Sequence, residues 1–87
     1  MLYGEELLKS IQNRCRIQPG MLIRSRPEGF GENAPHGGKV ALVTKVSPGC
    51  KFDRDYEGAE EHIFYVCEPF DGTNEFVDYV CNMEQVS

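Results

Sequence analysis

The ten residues GGKVALVTKV, Gly37 to Val46, restrict the fold more than any other stretch of the chain. Successive side chains of a strand point to opposite faces. Here one face would carry Val40, Leu42, Thr44 and Val46 and the other Ala41, Val43 and Lys45. Such a strand is apolar on both sides and belongs at the centre of a sheet, with material covering it twice. A chain of 87 residues buries only about 60–65 % of its unfolded surface. There is room for one small core, so strand and core have to be built around each other.

The rest of the chain divides at Pro19-Gly20. Before it, Tyr3, Leu7, Leu8, Ile11 and Cys15 follow one another at helical spacing within residues 2–16, with good helix formers between them. Glu5 and Glu6 stand at the positive end of that helix and Arg14 and Arg16 at the negative end. An isolated helix of this length is marginal in water, so something covers its stripe: one end of the chain's own core, or a partner. After it, five strands are expected: 21–26, ended by Pro27; 39–46; 62–68, with Ile63, Tyr65 and Cys67 opposing Phe64 and Val66; 75–80; and a short one over 83–86. Residues 25–39 (SRPEGFGENAPHGGK) form a long turn-rich excursion and residues 50–61 an acidic one, whereas Asp71-Gly72 marks a tight hairpin.

This order of elements resembles the SH3-like small β-barrel. The entry Pro19 to Arg24, the strand Gly38 to Val43 and the stretch VCEPFDGTNEF, Val66 to Phe76, are similar to phrases that recur in small phage-encoded proteins of this fold. The chain departs from that pattern in having no Trp: Cys67 to Phe70 stand where an aromatic residue precedes Asp-Gly. After the N-terminal amphipathic helix, assigned to 1–17, the resemblance implies a five-stranded SH3-like barrel over 18–87, all-β apart from the helix. Its interior would be lined by Ile23, Val40, Leu42, Tyr65 and Val77. Closure would bury the inner face of the second strand, and a neighbouring strand or the helix would cover part of the outer one. The same resemblance implies a non-enzymatic phage protein that acts through protein contacts, either as a virion component or as a factor binding a host protein.

Charge is split along the chain. Residues 1–51 carry eight Lys and Arg against four acids, and residues 52–87 carry Arg54 against ten acids, so the halves stand at +4 and −9. The simplest consequence is neutralisation across the fold, and the functional alternative is an acidic surface that meets a basic partner. No apolar run approaches the roughly 20 residues that span a bilayer. The first ten residues carry two Glu where a signal peptide is positive. The expected setting is the host cytoplasm or the virion. Cys15, Cys50, Cys67 and Cys81 have neither the short spacing of a zinc site nor a secretion signal beside them, so free thiols are expected, with Cys67 and Cys81 in the core.

Several stretches carry candidate chemistry. Asp53, Asp55 and Glu57 open like a calcium loop, but the closing twelfth position is Phe64, so no metal is assigned. The phrase HGGKVALVTKV also resembles the KOW element, which implies RNA or RNA polymerase. Arg14, Arg16, Arg24, Arg26, Lys39 and Lys51 would then form the basic patch, against a pI of about 4.9. His36 and His62 stand in no motif with a nucleophile, and no cofactor is indicated. Protein binding remains, and its candidate residues are Phe30, Pro35 and His36 on the first excursion and Asp53, Asp55, Tyr56, Glu57, Glu60 and Glu61 on the second.

Overall fold

A computed structural model describes residues 4–26 and 38–86. Phe30, Pro35 and His36 lie outside the described residues, as do Leu2 and Tyr3 of the expected helix and Pro27 at the expected end of the first strand.

Helix α1 spans Glu5–Asn13, with Leu7 and Ile11 buried. It ends three residues before the expected Arg16. The Gln18 side chain closes this end: its amide donates to the carbonyls of Gln12 (2.6 Å) and Cys15 (3.0 Å), and a continued helix could not satisfy Cys15 itself because Pro19 has no N–H. The chain released in this way runs Cys15 and Ile17 into the core. Met21 follows a turn at Gly20, whose φ of 94° suits glycine and whose N–H donates to the Val43 carbonyl at 2.8 Å.

Five strands follow: β1 Leu22–Ser25, β2 Val40–Val46, β3 Phe64–Pro69, β4 Phe76–Tyr79 and β5 Met83–Gln85. All pair antiparallel in the order β4-β3-β2-β1-β5. The central place of β2 follows from its two apolar faces. Single 3-10 turns, Ala59–His62 and Val80–Asn82, lead into β3 and β5. The domain is a small α+β unit whose sheet stays open, with β4 and β5 as its edges; the expected closed cylinder is not formed by strand pairing among the described residues.

The core occupies one face of the sheet. Leu7 and Ile11 of α1 join Ile17, Ile23, Ala41, Val43, Ile63, Tyr65, Cys67, Val80 and Met83 there. The helix stripe is thus covered by the chain's own core. Ile23 and Tyr65 take their expected places, and Tyr65 donates from its hydroxyl to the Ile17 carbonyl at 3.0 Å. Val40, Leu42 and Val77 do not: Val40 is 39 % and Val77 47 % exposed, and Leu42 is only half-buried. The inward face of β2 is Ala41 and Val43. Register decides this, because Val40 pairs with Arg24 and Leu42 with Glu68, and a face carrying both charges belongs to water. A bulge then shifts the register between Val43 and Lys45, which returns Val46 toward the core. The outer face of β2 is therefore left partly open, without the cover expected from closure.

Candidate functional site

On the outer face of β3 and β4 the register sets Phe64 opposite Tyr79 and Val66 opposite Val77. The Phe64 and Tyr79 rings lie 3.9 Å apart between centroids. Gly58, in a left-handed conformation at φ 85°, starts the 3-10 turn that carries His62 up beside them. The His62 ring meets Tyr79 edge-on at 6.4 Å and Tyr56 at 5.8 Å, and Tyr56 reaches Phe52 at 6.3 Å. The Tyr56 hydroxyl and His62 Nδ1 share a hydrogen bond of 2.9 Å. Five rings from two strands, a 3-10 turn and a loop thereby form a continuous row. They line a groove of about 660 Å³, completed by Lys51, Asp53 and Cys81.

The loop that carries Phe52 and Tyr56 is tied down by the segment just after α1. Arg14 binds both carboxylate oxygens of Asp55, with Nη1 2.9 Å from Oδ2, and its Nε donates to Glu60 at 3.0 Å. Arg16 donates from Nε to Glu61 at 3.1 Å and from Nη2 to the Val80 carbonyl at 2.8 Å, so it joins the two 3-10 turns. The Cys15 thiol between them donates to the Glu60 carbonyl at 3.4 Å. These contacts hold the Arg14 guanidinium in its charged form, raised by Asp55 first and Glu60 second. The Asp55 carboxyl lies below its ordinary value mainly through the bond from Arg14. Glu60 is lowered first by its own backbone N–H and then by Arg14.

The sequence candidates fall into distinct places. Asp53 and Tyr56 line the aromatic groove. Asp55, Glu57 and Glu60 lie on the other side of Tyr56, where with Arg14 and Gly58 they form a shallow acidic hollow of about 380 Å³. Asp55, Glu60 and Glu61 are engaged by Arg14 and Arg16, whereas Asp53 and Glu57 carry no ion pair among the described residues. The structure also brings Phe52, His62, Phe64, Tyr79 and Cys81 to the groove, none of which the sequence marked as a site, together with Lys51, which the sequence placed only in the candidate basic patch. Their one readable trace was the alternation of β3, which put Phe64 opposite the core-facing Ile63, Tyr65 and Cys67.

Cys81, expected in the core, is only half-buried, while Cys15, Cys50 and Cys67 are buried. Burial raises all four thiols, Cys67 up to about 12. Among the described residues no cluster of three or more His, Cys, Asp or Glu is arranged to hold a metal ion. No helix there is long and apolar enough to cross a membrane. Of the proposed basic patch, five of six members have a carboxylate within ion-pair reach: Arg14 and Arg16 as above, Arg24 and Arg26 both on Glu84, and Lys39 on Asp71 at 3.1 Å. Each of these pairs joins the basic half of the chain to the acidic half. No protein-family model, curated protein or solved structure matches the chain.

Proposed function

We propose that the chain is a non-enzymatic protein-interaction module of SH3-like architecture, phage-encoded as its sequence resemblance implies, and that the aromatic groove is its contact surface. The observation that carries this reading is the row of five rings from Phe52 to Phe64, which lines one surface groove while Phe52 and Phe64 also pack against the core. Tyr is enriched at the energetic centres of protein interfaces because it combines a large apolar ring with a polar edge at small entropic cost. The architecture is supported by the strand order, with a meander of four strands and a fifth returning through a 3-10 turn to pair with the first.

Two further observations bear on rival classes. A nucleophilic reading of the groove finds no support in Cys81, whose thiol is raised by burial. A KOW-like nucleic-acid reading is disfavoured because the cations it needs are balanced by the chain's own carboxylates, leaving few counterions to release.

Affinity capture from infected cells with the whole chain, read by mass spectrometry beside the Tyr56→Ala variant, tests the reading. A protein partner retained by the parent and lost by the variant is the expected result. A partner set unchanged by the substitution, or recovery of nucleic acid in place of protein, would overturn it. Stoichiometric presence in purified particles would assign the module to the virion, and presence only in lysate would assign it to a host-directed factor.

A further inference from the structure

We infer that the occupant of this groove is a basic protein segment, with one Arg or Lys side chain laid across Tyr56 toward the acidic hollow; this rests on the protein-binding reading above. Tyr56 is 38 % exposed and lines both the groove and the acidic hollow, so it is the ridge between them. Phe52, its neighbour in the row at 6.3 Å, belongs to the same end of the groove, with Asp53 next to it in sequence.

At that end three features select a cation. The face of a Tyr ring presents a negative quadrupole, and the exposed Tyr56 ring is held in place by the 2.9 Å bond between its hydroxyl and His62 Nδ1. Asp53 stands in the groove without an ion pair among the described residues. Beyond Tyr56 the hollow holds Asp55, Glu57 and Glu60 against Arg14 alone, so it keeps excess negative charge after the internal pairs are formed. Arg14 itself shows how the hollow receives a guanidinium, through Asp55, Glu60 and the Tyr56 carbonyl at 3.5 Å. A neutral apolar segment would fill the rings but leave Asp53 and Glu57 without a counter-charge, and an acidic one would meet them as like charges.

The test is an NMR titration of the full chain at low salt with a synthetic peptide carrying paired arginines among glycines and serines. Its counterparts have both arginines replaced by citrulline, which keeps the shape and removes the charge, or by glutamate. Saturable shifts at Tyr56, His62 and Tyr79 are expected with the arginine peptide, with binding weaker by about tenfold for citrulline and absent for glutamate. Asp53→Asn with Glu57→Gln is expected to lower affinity by roughly five- to tenfold while the spectrum stays dispersed. Equal binding of the arginine and citrulline peptides, or no saturable shift up to millimolar peptide, overturns the inference. It would still leave the groove as a contact surface if the captured partner depends on Tyr56; if that dependence is also missing, both readings fall.

Discussion

Replacing Ile11 with Ala is the sharpest test of how this domain is held together. Ile11 is fully buried in the cluster that joins α1 to the sheet. The change removes three carbons, worth about 0.8 kcal/mol each in transfer, so about 2.4 kcal/mol before any cavity is counted. A rigid site adds a cavity cost, and large-to-small changes of this kind fall at roughly 2–5 kcal/mol. Ala is the better helix former by a few tenths of a kcal/mol, which offsets little. About 3 kcal/mol is the expected loss, a large part of the roughly 4–13 kcal/mol that a domain of this size possesses. The melting temperature should fall by about 12–24 °C. Urea and thermal unfolding followed by circular dichroism measure it, with Val77→Ala, at a site 47 % exposed, as a control expected within about 1 kcal/mol of the parent. If Ile11→Ala unfolds no more readily than Val77→Ala, α1 is not part of the core and the packing argument fails.

Other consequences are open to measurement. Tyr65→Phe leaves the Ile17 carbonyl without its buried donor and should cost about 1–2 kcal/mol in the same unfolding assay; no change would mean that the carbonyl has another partner. Asp55 and Glu60 have folded values below their ordinary 3.8 and 4.5, and Asp71, held by Thr73 first and then Lys39, lies at about 2. Stability from these groups is complete above the ordinary values and is lost as pH falls through the folded ones, so the melting temperature should decline from about pH 4.5 toward pH 2. Arg14→Gln should flatten part of that decline, and an unchanged pH profile would contradict the pairing. Maleimide labelling read by mass spectrometry should modify Cys81 before Cys15, Cys50 and Cys67, since Cys81 alone is not buried; labelling of Cys67 first would refute the burial pattern.

Much of this fold is legible in local chemistry. The spacing of Leu7 and Ile11 announces the helix, alternation in β3 separates Tyr65 and Cys67 from Phe64, and Asp71-Gly72 marks its turn, where Gly72 takes φ 83°. The opposite charges of the two halves anticipate Arg14 on Asp55 and Lys39 on Asp71. The facing of β2 is not legible, because a strand apolar on both sides has no alternation to read. Its orientation is set by Arg24 and Glu68 on neighbouring strands and by a bulge that only pairing reveals. Sheet closure is hidden for a related reason: it depends on whether the edges of β4 and β5 meet, and no residue pattern records that. The groove was half visible. Asp53 and Tyr56 stand out in an acidic loop, but Phe52, His62, Phe64 and Tyr79 come together only when the 3-10 turn and the β3–β4 register are in place.

Hydrogen–deuterium exchange of the chain with and without its captured partner bears most directly on the claim that the aromatic groove is where this protein acts. New protection should concentrate in residues 51–62 and 79–82. Protection confined to the exposed distal hairpin around Phe70, or to α1, with those two segments unchanged, would contradict it.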